Sequence, residues 1–366
     1  MKQFLVWIGT RPEAIKLCPL ILELRDRGAR VSVMLTGQHR DMVCPVLSFF
    51  GVSADEDLAV MRDSQSVQEL TERLLKSMAQ LLERIPRPDA VLVHGDTSTA
   101  LCGAMSAFYA GIPVCHVEAG LRSDDIHAPF PEEFNRRAID AVSDIHFAPT
   151  QAAARRLMQE GYSKQGIFTV GNTATDALRL CLERPFFHPL SERTQERLIL
   201  LTSHRREWGE GERVELLRGV RDALEHREDV RVIFPVHPSP AVQRAAQQAF
   251  FGCKNVTMTD PLPLPLMQHL LARAWLLLTD SGGLQEEATY LGVPTLVLRT
   301  TTERPEGVAA GVLRIVGGER KAVREALERL LACPAEREAM AHPSLVFGDG
   351  YAAQHIADVL MREDEA

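Results

Sequence analysis

The sequence predicts an α/β protein built from two doubly wound parallel sheets flanked by helices. Three observations predict it. Short apolar runs of buried-strand character alternate with helix-like segments from end to end, and that alternation gives parallel sheets with helices on their faces. Several runs open into charged and small residues, as buried parallel strands do where they end in functional loops. The length of 366 residues exceeds one typical domain and suggests two, each with a sheet of about five to seven strands.

The elements follow in order. Residues 3–9 read as a strand and 13–27 as a helix, apolar around most of its circumference and therefore buried. Pro12 suits a first helical turn, whereas Pro19 lies in the interior and predicts a kink. Residues 31–35 are the next strand, and 40–50 and 67–84 are helices. A strand at 91–94 leads into a helix through 107, and strands at 114–117 and 145–148 follow, with a helix from 151. The second half restarts the rhythm, with strands at 167–170, 198–202, 230–236, 256–258, 275–279 and 295–298. Pro261-Leu-Pro-Leu-Pro265 reads as a rigid loop before a helix, and Asp55-Glu-Asp57 as solvated surface.

Composition narrows the function. Hydrophobic residues make up 45%, enough for two cores, and the net charge of −8 argues against a general nucleic-acid binder. The cysteines at 18, 44, 102, 115, 181, 253 and 333 form no CxxC pair, which points to reduced thiols in a cytoplasmic protein and to no zinc framework. The first apolar run, at 4–8, reads as a strand and not as a signal peptide. No apolar run is long enough to cross a bilayer.

Open parallel sheets bind ligands at the carboxyl ends of their strands, and the informative residues cluster there. Gly9-Thr-Arg-Pro-Glu13 leaves the first strand and enters a helix whose N-terminus attracts anions, with Arg11 suited to grip a phosphate. His94 and Asp96 are two apart, as are His116 and Glu118, so on extended strand ends each pair points to one side. These groups suit general acid–base chemistry, or a metal site; acid–base is favoured because no helical His-x-x-x-His accompanies them. Pro131-Glu-Glu133 opens a helix with Glu132 and Glu133 at its positive end. Thr202-Ser-His-Arg-Arg-Glu207 places His204, Arg205 and Arg206 after a strong strand as a receptor for a polyanion, and Val236-His237 repeats the strand-end histidine. Thr279-Asp-Ser-Gly-Gly-Leu-Gln-Glu-Glu287 turns from a buried strand into a helix whose free amides at Ser281, Gly282 and Gly283 suit a diphosphate, with Glu287 one turn on for ribose hydroxyls. The loop is neither a G-x-G-x-x-G nor a Walker A sequence, so nothing implies NAD or ATP.

Together these segments resemble the non-hydrolysing UDP-N-acetylglucosamine 2-epimerase family. The resemblance is carried by Gly9-Thr-Arg-Pro-Glu-Ala-Ile-Lys16, Gln38-His-Arg40, His94-Gly-Asp-Thr97, His116-Val-Glu-Ala-Gly-Leu-Arg122, Pro131-Glu-Glu133 with Asn135-Arg136, Gly171-Asn-Thr173, His204-Arg-Arg-Glu207, Pro235-Val-His237, Asp280-Ser-Gly-Gly283 with Gln285-Glu-Glu287, and Thr301-Thr-Glu-Arg-Pro-Glu306. It implies two Rossmann-like domains facing a central cleft, the GT-B arrangement. Residues 1–165 would form the first, rejoined by a C-terminal helix within 351–366, and residues 166–350 the second.

The resemblance implies interconversion of UDP-GlcNAc and UDP-ManNAc without NAD or metal, through elimination of UDP to 2-acetamidoglucal and re-addition. Asp96, Glu118 and Glu132 would be the acid–base carboxylates, with His204 beside them among the catalytic residues. Arg11, Lys16, Arg136, Arg205, Ser281, Gly282, Gly283 and Glu287 would bind substrate, Lys16 also ordering the carboxylates. Gln38, Arg136 and His237 match positions of a second site at which bacterial members take UDP-GlcNAc as an activator, and a homodimer is implied. The sequence departs from the family pattern at Asp41, at Ser123-Asp-Asp-Ile-His-Ala128 and at Trp208. Those departures leave room for a 3-acetamido uronic acid sugar as substrate. A GT-B glycosyltransferase would share the nucleotide half, and a silent nucleotide-sugar sensor would bind without turnover.

Overall fold

The computed structural model describes residues 1–62, 65–192, 195–204 and 208–362. The chain divides into two compact units, Met1–Ala177 with Gly348–Ala366, and Leu178–Phe347. The first unit runs β1 (Gln3–Ile8), α1 (Arg11–Asp26), β2 (Arg30–Leu35), α2 (Arg40–Phe50), β3 (Glu56–Asp57), α3 (Val67–Arg84), β4 (Ala90–His94) and α4 (Ser98–Tyr109). It continues with β5 (Val114–Val117), α5 (Glu132–Val142), β6 (Ile145–Ala148), α6 (Gln151–Gln159), β7 (Ile167–Thr169) and α7 (Thr173–Leu182), within which the division falls. The second unit holds β8 (Arg197–Thr202), α8 (Glu210–Ala223), β9 (Val230–Pro235), α9 (Pro240–Phe250), β10 (Val256–Thr259), α10 (Leu264–Arg273) and β11 (Leu276–Thr279). Then come α11 (Gly282–Leu291), β12 (Thr295–Val297), α12 (Pro305–Ala309), β13 (Leu313–Ile315), α13 (Arg320–Ala332) and α14 (Pro334–Met340), before α15 (Ala352–Leu360) returns to the first unit.

Both sheets are parallel throughout. The first has seven strands in the order β3-β2-β1-β4-β5-β6-β7, the second six in the order β10-β9-β8-β11-β12-β13. Each is doubly wound about its first strand, so chain order reverses between β1 and β4 and between β8 and β11. The crevice outside the carboxyl ends at such a reversal is where open α/β sheets bind ligands. The faces follow from the side-chain period of two. In β8, Ile199 and Leu201 pack into the core beneath α8, α9 and α13, while Leu198 and Leu200 pack into the core beneath α10. In the first unit Leu5, Trp7, Val91 and Val93 face α3 and α4. Gly103 of α4 is required there, because a Cβ would lie 2.6 Å from the Trp7 ring.

Two expectations need correction. The first domain does not end at 165: β7 pairs with β6, His146 opposite Ile167, so the division falls at 177/178 and the return at 347/348. Asp55-Glu-Asp57 is not simply solvated surface, since Glu56 and Asp57 form β3 against Met34 and Leu35, and Asp55 accepts the Val33 amide at 2.7 Å. α1 runs unbroken through Pro19, which is buried within it. Among the described residues no helix is long and apolar enough to cross a membrane.

The returning helix is fixed to the first unit by named bonds. Asp176 of α7 accepts the Ala352 and Ala353 amides at 3.1 and 2.8 Å, satisfying the open N-terminus of α15. Lys2 donates to the Leu360 carbonyl at 2.9 Å, and Arg27 pairs with Asp358 at 2.5 Å. Asp176→Ala therefore removes the acceptor of two buried amides and is expected to cost roughly 1–2 kcal/mol. Amide hydrogen exchange checks it: residues 352–360 should lose protection in the variant while β4 and β5 keep theirs.

Candidate active site

In the first unit the site is built on the loops after β1, β4 and β5. Thr10 and Glu13 close a capping box on α1. One Glu13 oxygen accepts from the Gly9 amide at 3.0 Å, the Thr10 amide at 2.6 Å and the Thr10 hydroxyl at 2.8 Å. The other accepts the Thr97 hydroxyl at 2.6 Å, so one carboxyl ties the β1 turn to the β4 turn. Burial pushes Glu13 up to about 7, against the hydrogen bonds from Thr97, Thr10 and Gly9. Gly9 has no room for a side chain, since a Cβ would lie 2.1 Å from the Thr99 hydroxyl oxygen. Thr99 in turn donates to the Gln38 side-chain carbonyl at 3.1 Å.

Gly95, with φ +64°, turns the chain after β4. Asp96 then pairs with Arg136 of α5, and Asn135 donates to the Asp96 carbonyl at 2.8 Å. Arg136 also lies 3.5 Å from Glu133, which is fully buried and accepts the Ser123 amide at 3.0 Å. Glu132, the first residue of α5, is placed differently: its Oε2 is enclosed and accepts no hydrogen bond from the described residues. A buried acceptor left unsatisfied costs about 1–3 kcal/mol, which a ligand donor would recover.

Glu118 follows β5 in the left-handed region, with φ +69°, a rare state for a non-glycine residue. Its Oε2 accepts from Lys16 of α1 and from the Asn172 amide at 2.7 Å, and His94 Nε2 stands 3.7 Å away. Burial drives His94 down to about 3, so its ring is neutral. His116 does not join Glu118. The strand ends at Val117, and the left-handed step sends the two side chains to different partners. His116 is wholly buried between the Asp140 carboxylate, 2.6 Å from Nδ1, and the Gly95 carbonyl, 2.7 Å from Nε2. The expected same-side pairing of His116 with Glu118 is therefore wrong, and so is that of His94 with Asp96, which Gly95 separates. The His116 imidazole holds the two loops, while Glu118 meets Lys16 and Asn172 and Asp96 meets Arg136.

In the second unit the site sits at the reversal between β8 and β11. Thr202 and Thr279 join their hydroxyls across the strand ends at 2.6 Å, and Thr279 also accepts the Ser281 amide. Asp280 is fully buried and accepts the His204 amide at 2.7 Å, with His204 Nδ1 3.1 Å from its other oxygen. His237 stacks on His204, centroids 6.0 Å apart and planes 17° from parallel. Burial, then the charges of His204 and Arg213, lower His237. Ser281 caps α11 by position, and the first bond of that helix runs from the Gln285 amide to the Ser281 carbonyl. The preceding amides of Gly282, Gly283 and Leu284 thus lie at the positive end of the helix. Glu287 accepts from Gln268 at 3.0 Å, whereas its neighbour Glu286 pairs with Arg304. Arg205 lies outside the described residues, and Arg11 is the half-buried first residue of α1. Trp208 donates to the Leu298 carbonyl at 3.1 Å and lies over Gly318, where any Cβ would strike its ring.

The first unit thus presents carboxylates in three different environments, and the second the positive end of a helix and an imidazole held by a buried carboxylate. Fold and site define a parallel α/β enzyme of the type that handles nucleotide-linked substrates. The model of the family described as UDP-N-acetylglucosamine 2-epimerase matches residues 22–361. The UDP-N-acetylglucosamine 2-epimerase of Bacillus subtilis is 43% identical over 356 residues, covering 96% of this chain and 93% of its own. The crystal structure of UDP-GlcNAc 2-epimerase from Neisseria meningitidis bound to UDP-GlcNAc superposes with TM-score 0.93 at 38% identity, over 99% of this chain and all of that one. The glycotransferase of kitacinnamycin, 15% identical at TM-score 0.63, shares the fold alone. The chain belongs to the UDP-N-acetylglucosamine 2-epimerase family.

Glu13 is the site residue that acid-pair reasoning passes over; the capping-box spacing Thr10-x-x-Glu13 is its signal. Because burial raises its carboxyl from 4.5 to about 7, the folded chain takes up a proton there. Its contribution to stability is full below pH 4.5 and is lost as pH rises through about 7. Comparing urea midpoints of wild type and Glu13→Gln across that window tests this. The wild type should lose ground to the variant as pH rises, and a constant difference would contradict it.

Proposed function

We propose that this protein reversibly epimerises UDP-GlcNAc and UDP-ManNAc at C2. The hydrogen at C2 of the sugar is not acidic. Loosening the C1–O bond to UDP builds oxocarbenium character at C1, which makes that hydrogen removable. The base takes the proton, the C2–H electrons form the C1–C2 double bond, and the C1–O pair leaves with UDP. The products are 2-acetamidoglucal and UDP. Protonation at C2 from the other face and return of UDP to C1 give the epimer.

The residues divide the work. Asp96, Glu118 and Glu132 supply the acid–base groups around C2. Lys16 orders Glu118, Arg136 sets Asp96, and Arg11 contributes a cation for the substrate. In the second unit Ser281 through its hydroxyl, the amides of Gly282 and Gly283, His204 and Arg205 stabilise the departing diphosphate, and Glu287 serves the ribose hydroxyls. The observation that carries this reading is Glu118: a carboxylate held in a left-handed conformation at a strand end by Lys16 and Asn172. Family membership supplies the substrate.

The same reading includes a homodimer, a cytoplasmic location and UDP-GlcNAc as activator through Gln38 and His237. Support for a reducing compartment comes from the cysteines, all free, with Cys18, Cys102, Cys115 and Cys181 pushed up to about 12 by burial. Support for a role of His237 comes from its stacking on His204.

Either pure UDP-sugar should be converted to one equilibrium mixture, followed by anion-exchange chromatography. Glu118→Gln and Asp96→Asn should each lower turnover about 10²- to 10⁴-fold while calorimetric UDP affinity stays near wild type. Absence of conversion by folded protein would point instead to a modified sugar or to glycosyl transfer.

A further inference from the structure

Asn172 has no acid–base role, yet its side chain reaches Glu118. It is buried in the turn between β7 and α7. Its Oδ1 accepts the Ala174 amide at 3.0 Å and so caps α7, and its Nδ2 donates to Glu118 Oε2 at 2.7 Å. The cap fixes the amide: with the carbonyl oxygen committed to Ala174, only the donor end faces the carboxylate. The turn is also held from behind. The Val170 carbonyl lies 3.2 Å from His355 Nδ1. A Cβ on Gly348 would stand 3.0 Å from Gly171 Cα and 3.1 Å from the Asn172 nitrogen. Asp176, one turn along α7, grips the start of α15. Among the described residues, the titratable groups that face Glu118 from the packed elements include Lys16 of α1 and His94 of β4.

We infer that Asn172 is a positioning residue for the epimerisation proposed above, holding Glu118 in its left-handed conformation and favouring its ionised form. A hydrogen bond donated to a carboxylate stabilises the charged state. It also fixes the direction from which the acid meets C2, and misplacement of such a group is costly. The inference rests on Glu118 being an acid–base group, and the experiment separates the two claims.

Asn172→Ser and Asn172→Asp both keep a capping oxygen for α7 and remove the amide donor. Each is expected to lower kcat about 10- to 100-fold, with KM and calorimetric UDP affinity near wild type. Asn172→Asp places a second carboxylate against Glu118, so the acidic limb of its kcat–pH profile should move to higher pH, and that of Asn172→Ser should move less. Glu118→Gln is measured alongside. If Glu118→Gln turns over like wild type, the acid–base role of Glu118 falls. If it is inactive while both Asn172 variants keep the wild-type kcat and limb, the positioning role falls. A lower melting temperature and kcat with an unmoved limb would mark Asn172 as a cap only and would overturn the inference too.

Discussion

The first unit depends on one carboxyl group spanning a gap that the topology opens. Chain order reverses between β1 and β4, so the loops after those strands diverge and leave a crevice. Glu13 crosses it, accepting three donors from the β1 turn and one from the β4 turn. Asp96 sits one residue before Thr97, the β4 partner in that bond. The loop that carries an acid is thereby referred to α1, the helix that also carries Lys16. Local geometry and site geometry are set by the same few atoms.

A second network fixes the neighbouring loop from beneath. His116 leaves β5 toward the interior, meeting Asp140 of α5 and the Gly95 carbonyl. Arg122 joins Asp140 at 2.7 Å and Glu160 at 2.6 Å. Burial raises the Asp140 carboxyl, but His116 and Arg122 outweigh it and hold it below the ordinary carboxylate value. Removing one member of such a buried set typically costs about 3–5 kcal/mol, because it strands an uncompensated charge. One imidazole thus ties the loop before Asp96 to the strand before Glu118. The second unit repeats the logic with Asp280, which lies buried at the β8–β11 reversal and positions His204 beside the open helix of Gly282 and Gly283.

Much of the fold was legible because parallel strands buried on both faces read as apolar runs with sharp ends. The helices Arg40–Phe50 and Val67–Arg84 and the strands Val114–Val117 and Ile145–Ala148 stand where the sequence places them. The strand β3 escapes notice because two acidic residues carry no periodicity, and β13 because the charged Arg314 interrupts its short apolar run. The domain boundary misleads because Ile167–Thr169 has the same apolar character whether it closes one sheet or opens the next; only its pairing with β6 decides. At the site, residue types announced the carboxylates and the Ser281-Gly-Gly turn. The partners did not follow from spacing. The rule that residues two apart share a side fails at Glu118 and Asp96, because left-handed residues end the strands just there. Asn172 and Glu13 act through caps, and a cap motif read from sequence looks like secondary structure and not chemistry.

The central claim is that strand-end carboxylates of the first unit cut and remake the C2–H bond of a UDP-sugar. Proton NMR of UDP-GlcNAc incubated with the protein in D2O, with no cofactor added, tests it most directly. UDP-ManNAc should appear with deuterium at C2. Epimer that keeps protium at C2, or a spectrum that does not change with folded protein present, would contradict it.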